Sequence, residues 1–194
     1  MKTGIKQLQT VLLGITGAAA LWLMACEKYT DPVKPDVELT NHYCNDPIAA
    51  NYNRGFPGIP DSSVCEYATE YFEGNWQWVE SIFDKDLIFQ QRQVRNLAFT
   101  PASVATDTFR RHLTVSGICT NNNTLKITAN KYALAMTDTL IQGVYGGQLF
   151  CSNTDTVSGY FKRTTDTITA SMDIMLTENK LTGVFYHKGR AVKQ

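Results

Sequence analysis

Hydrophobic and polar residues alternate with a period of two over much of the chain beyond residue 71. The clearest run is Thr167–Leu176. Ile168, Ala170, Met172, Ile174 and Leu176 fall on one side of it, and Thr167, Thr169, Ser171 and Asp173 on the other. Such alternation predicts a strand with one buried face. Glu178-Asn179-Lys180 reads as its turn, and Leu181–His187 returns as the partner strand. Phe109–Cys119 and Leu125–Met136 read as earlier strands separated by the turn Asn121-Asn122-Asn123, with further strands at Thr139–Phe150 and Thr156–Lys162. Between Phe83 and Ser103 the pattern places only a strand around Val94–Thr100. Regularly recurring turns predict an all-β fold, an antiparallel meander closed as a barrel or folded as a β-sandwich.

The N-terminus has a different pattern. Lys2 and Lys6 precede an apolar run, Val11–Met24, broken only by Gly14, Thr16 and Gly17. The run is shorter than the roughly 20 residues that a spanning helix needs, and the layout is that of a secretory signal. Leu23-Met24-Ala25-Cys26 resembles a lipobox, the signal at which bacterial lipoproteins are lipidated on cysteine and cleaved before it. The resemblance implies a signal peptide at 1–25, lipidation of Cys26, and attachment to the outer membrane, at the cell surface or on the periplasmic face. Several acyl chains hold a protein on a membrane where one does not. Loss of Lys2 and Lys6 leaves 16 basic residues against the 18 acidic ones. That balance disfavours nucleic acid as a partner.

Residues 26–43, with Pro32 and Pro35 among mixed charges, read as a tether. Residues 44–67 form a bracketed module. Cys44-Asn45-Asp46-Pro47, Asn51-Tyr52-Asn53 and Asp61-Ser62-Ser63-Val64-Cys65 resemble a short motif of surface and secreted proteins in lipoprotein-rich diderm bacteria. The segment has too few large apolar residues to bury a core, so a Cys44–Cys65 disulfide is what would order it. Asp46, Asn51, Asn53 and Asp61 are oxygen donors that suit Ca²⁺, or turn residues bonded to their own backbone, which the spacing favours.

Residues 71–190 are the predicted barrel-like domain. Gly74-Asn75-Trp76 at the start of the first strand resembles lipocalin-like families, after a short helical turn at Ala68–Phe72. The resemblance implies that a tryptophan plugs one end of the barrel and that a late arginine, here Arg190, packs on it. Trp76, Trp78, Phe109, Phe161 and Phe185 are candidate core residues. Trp76, Trp78 and Tyr145 are also the candidates for lining a site for a small apolar ligand.

With Cys26 set aside, four cysteines remain, an even number suited to an oxidising compartment. Cys44–Cys65 leaves Cys119–Cys151. In a plain meander their strand ends lie too far apart for a disulfide, so the bond requires both cysteines to stand beyond those ends or the strand order to differ from a simple meander. His42 falls in the tether, and His112 and His187 read as solvated strand residues without zinc-like spacing. Neither a Gly-x-Ser-x-Gly elbow nor a phosphate loop is present, so no catalytic residue, metal or cofactor is assigned. Asp138-Thr139-Leu140, Asp155-Thr156-Val157 and Asp166-Thr167-Ile168 resemble O-glycosylation sites of some diderm bacteria, but the pattern better suits turns entering strands. The expected function is a non-enzymatic, membrane-anchored lipoprotein that binds a small ligand or a surface protein partner. An accessory subunit of a cell-surface complex stands second and a hydrolase third.

Overall fold

Eight strands close an antiparallel up-and-down barrel. The computed structural model describes residues 40–138, 147–164 and 170–194, all within one compact unit, Glu38–Gln194. Two short strands, β1 (His42–Tyr43) at the end of the expected tether and β2 (Ile59–Pro60) in the module, pair in parallel, so ordered structure begins before Cys44. The barrel is built from β3 (Gly74–Asp84), β4 (Phe89–Pro101), β5 (His112–Ser116), β6 (Leu125–Ala129), β7 (Leu134–Thr137), β9 (Thr156–Thr164), β10 (Ser171–Lys180) and β11 (Gly183–Lys193). The two-residue β8 (Gln148–Leu149) flanks β9. Each barrel strand pairs with the next, and β11 returns to β3. The outcome is the lipocalin-like barrel rather than the sandwich.

Alternation decides what fills the interior. In β10, Met172, Ile174 and Leu176 are buried, as the pattern predicts, while Asp173 faces out beside Arg190 at 3.2 Å. Ser171, expected outside, is buried and bonds with Thr164. Trp76, Trp78, Leu97, Phe99, Phe161 and Ala191 complete an apolar interior with Phe72 beneath it. The backbones of β11 and β3 approach so closely at Gly189 that an added Cβ would lie 1.9 Å from the Val79 carbonyl oxygen.

We call the end nearest Phe72 the base. There the 3-10 turn Ala68–Tyr71 leads into β3, and the Trp76 indole donates to the Phe72 carbonyl at 2.7 Å. The plug role of Trp76 agrees with the lipocalin-like expectation, but the arginine differs. Arg190 faces outward on Asp173. Arg163, at the end of β9, lies 5.9 Å from the Trp76 ring and donates to the Tyr71 carbonyl. Position 190 has the wrong strand parity: its neighbours Gly189 and Ala191 hold the inward positions.

Several boundaries move. Leu125–Met136 is two strands, not one. Asn130 accepts from the Tyr132 and Leu134 amides, and Ala133 has φ 56°, so a turn forms without glycine or proline. Phe109 is exposed and precedes β5, which starts only at His112. The segment before it is a turn on the buried Asp107, whose carboxylate accepts from the Arg111 and His112 amides. β10 runs through Glu178 to Lys180, so the turn is Leu181-Thr182, followed by Gly183 at φ 136°. Val94–Thr100 is the middle of a longer β4.

In the module, Cys44 and Cys65 are bonded, with Cα atoms 4.8 Å apart. Its polar side chains hold backbone and each other. Asp46 accepts from the Ile48 amide and the Tyr67 hydroxyl. Asn51 bonds the Val64 carbonyl and the Glu66 amide, and Asp61 accepts from Ser63. The turn-residue reading describes these groups. The module sits at the base, where the Arg110 guanidinium lies over the Tyr67 ring and also holds Glu70 of the following 3-10 turn at 2.8 Å.

Candidate functional site: the hairpin rim and its buried ion network

The opposite end, the rim, carries the tips of two neighbouring hairpins, β3–β4 and β10–β11. The inward positions of the strands change character toward it. After Trp76 and Trp78, β3 places Glu80 inside; after Leu176, β10 places Glu178 inside; β11 contributes His187. All three are buried. His187 therefore departs from the solvated strand residue that its sequence suggests. Its Nδ1 lies 2.5 Å from Glu80 and its Nε2 3.1 Å from Glu178. Arg95 of β4 donates Nε to Glu80 at 2.6 Å, with Gln93 beside it, and its Nη1 donates to the Ile118 carbonyl. Lys180 holds Glu178 at 2.9 Å.

Burial works against the charge on Glu80, but hydrogen bonds from His187 and Arg95 outweigh it and hold its carboxyl below the usual range. Burial likewise opposes the His187 cation, and bonds to Glu178 and Glu80 outweigh that too, raising its pKa. Each carboxylate is thus matched by cations, as buried charge requires. The arrangement ties β3, β4, β10 and β11 together directly beneath their tips. Both nitrogens of His187 are engaged and both carboxylates are buried on it, so the pair offers substrate neither a free base nor an exposed acid.

The network is covered. Phe150 packs edge-on against the His187 ring, with centroids 5.8 Å apart. Cys119–Cys151 fixes the segment beside Phe150 to the one beside Ile118, with Cα atoms 5.1 Å apart. Both cysteines stand beyond the ends of β5 and β8, which is the condition the meander set.

Above this support the tips are apolar and exposed. Leu87 is 60%, Ile88 60%, Phe89 55% and Leu181 92% exposed. The β3–β4 tip is firmly built. One Asp84 oxygen accepts from the Asp86 and Ile88 amides and the other from Gln90. The Asp84 and Ile88 backbones bond, and the Leu87 amide donates to the Asp84 carbonyl. Leu87 has φ 62°, a left-handed conformation that glycine or asparagine normally takes, at a cost of about 1–2 kcal/mol for other residues. Phe83 and Phe89 pack edge-on behind it at 5.9 Å.

Trp76 and Trp78, expected near a ligand, are fully buried in the interior packing. The Trp78 indole nitrogen has no hydrogen-bond partner among the described residues. Cys26, Tyr145, Thr139 and Thr167 lie outside the described residues, whereas Thr156 opens β9. The rim escaped sequence reading, although the inward parity of Trp76, Trp78 and Glu80 carries the signal for its first member. Among the described residues no helix is long and apolar enough to cross a membrane, and no group of three or more His, Cys, Asp or Glu residues suits a metal. No protein-family model, curated protein or solved structure matches the chain.

Proposed function

We propose that the chain is a non-catalytic lipoprotein, lipidated at Cys26 on the outer membrane, that docks a protein partner on the hairpin rim of its barrel. The carrying observation is Leu87: a bulky apolar side chain held out at a strained, many-bonded tip, with Ile88, Phe89 and Leu181 around it. Preordered apolar anchors of this kind lose little entropy on binding. The interior supports the same choice over a ligand inside the barrel, since Trp76, Trp78, Phe99 and Phe161 occupy it. The protein is then an accessory subunit of a surface or periplasmic-face complex.

Photo-crosslinking from position 181 in native membranes, read by mass spectrometry, tests this. One dominant protein adduct is expected, lost in Ile88→Asp with an unchanged thermal midpoint. A small molecule co-purifying in stoichiometric amount, with no protein adduct, would overturn the reading.

A further inference from the structure

A second site lies at the base. A cleft of about 840 Å³ separates the module from the barrel, lined by Arg54 and Glu66, by Glu70 and Tyr71, by the β6–β7 tip and by the end of β9. That volume is within the range of small-molecule sites, about 300–1,000 Å³. It stands apart from the rim, and nothing in the docking reading requires it.

The charges in the cleft are unevenly matched. Glu66 faces Arg54 at 3.6 Å and Glu70 holds Arg110 at 2.8 Å, so both acids are engaged. Lys131 and Arg163 have no carboxylate partner among the described residues. Arg163 uses Nη1 on the Tyr71 carbonyl, at 2.7 Å. Among the described residues the cleft therefore has positive charge in excess, part of it on a planar guanidinium suited to a carboxylate.

Beside these cations stands Tyr132, the most exposed aromatic side chain of the described residues, at 76%. The backbone that carries it is held in a bonded turn. Asn130 accepts from the Tyr132 amide at 2.8 Å and caps the turn, with Ala133 left-handed behind it. Lys131 Nζ lies 5.3 Å from the ring centre. An exposed aromatic face and adjoining cations without carboxylate partners match the parts of one ligand class. A pyranose lays its C–H face on an aromatic ring, directs hydroxyls to charged side chains, and in an acidic sugar adds a carboxylate for the cations.

We infer that this cleft binds an acidic saccharide, with a sugar ring on Tyr132 and its carboxylate between Lys131 and Arg163. The same chemistry is found in a soluble uronic-acid chain and in an acidic glycolipid headgroup. Titration calorimetry of the detergent-solubilised full protein with a short galacturonic acid oligomer tests the first source. Co-flotation with phosphatidylcholine vesicles carrying a glucuronosyl lipid tests the second, with plain phosphatidylcholine as the control. Saturable binding is expected to one or both acidic probes, about tenfold weaker for a neutral galactose oligomer. Tyr132→Ala and Lys131→Gln should each weaken it severalfold with the thermal midpoint unchanged, and Ile88→Asp at the rim should not change it. Response to the oligomer alone assigns a soluble chain, and response to the vesicles alone assigns a headgroup. Failure of both acidic probes, equal binding of the neutral one, or indifference to Tyr132→Ala would overturn the inference.

Discussion

Glu80 and His187 meet inside the barrel at 2.5 Å, although they lie 107 residues apart in sequence. Their strands, β3 and β11, are the seam that closes the barrel. The contact therefore links closure of the fold to protonation. His187 has its pKa raised, so its contribution is fully present below its ordinary value of 6.5 and is lost as pH rises through the higher folded value. Glu80 has its pKa lowered, so its contribution is present above its ordinary value of 4.5 and is lost as pH falls through the lower folded value. Both contributions are complete only between 4.5 and 6.5. Denaturant midpoints measured across pH should form a plateau there and fall on the alkaline side. His187→Gln should remove that alkaline fall; persistence of the fall in the variant would place its cause elsewhere.

The network should be costly to break from one side. Glu80→Ala leaves Arg95 and His187 without the carboxylate that both bond. Removing one partner of a buried pair typically costs about 3–5 kcal/mol. Asp173→Ala, which removes the exposed partner of Arg190, should cost less than about 1 kcal/mol. Chemical denaturation of both variants gives the comparison, and similar losses would show that burial at Glu80 is not decisive.

Neighbouring residues of β10 test the alternation itself. Ile174 is 2% exposed, and Asp173 next to it faces outward. Ile174→Asp buries a carboxylate without a partner and should remove several kcal/mol of the roughly 5–15 that a domain has. Asp173→Lys should stay within about 1 kcal/mol, including the lost pair with Arg190. Equal shifts in denaturant midpoint would contradict the inward and outward assignments.

How far the sequence could be read depended on which signals were local. The alternation of Met172, Ile174 and Leu176 is a property of one strand, and it predicted the buried face. Gly74-Asn75-Trp76 and the even cysteine count similarly led to the plugged base and both disulfides. The missed turns lack the usual turn residues. Asn130–Ala133 uses an asparagine side chain and a left-handed alanine, and Lys85–Ile88 uses Asp84 and a left-handed leucine. The ion network was hidden for a different reason. Glu80, Arg95, Glu178 and His187 come from four strands, and only the register of the closed barrel brings them together. Arg163 displaced Arg190 for the same reason: which arginine reaches Trp76 depends on strand parity and tilt.

The bond Cys119–Cys151 closes a long loop, with a sequence separation of 32. On the chain-entropy model a loop of that length contributes roughly 4 kcal/mol. The double variant Cys119→Ser, Cys151→Ser should lose stability on that order. It should also release Phe150 from His187, seen as increased hydrogen exchange at 118–119 and 150–151. Thiol labelling of the mature, non-reduced protein should find no free cysteine among Cys44, Cys65, Cys119 and Cys151. Labelling at either end of the second bridge would refute it.

Leu87 separates stability from docking. Its left-handed backbone at φ 62° is a conformation that asparagine accepts more readily than leucine. Because the side chain is 60% exposed, Leu87→Asn loses little packing in the free protein. The variant should therefore unfold at equal or higher denaturant, by up to about 1 kcal/mol. On the docking reading it should also bind its partner more weakly, since an apolar anchor of the rim is gone. A stability gain with undiminished crosslinking from position 181 would remove Leu87 from the docking surface. A stability loss would mean that its side chain packs more closely on Phe89 and its neighbours than its exposure indicates. The two measurements are independent: one reports strain in the free tip and the other reports what the strained tip presents.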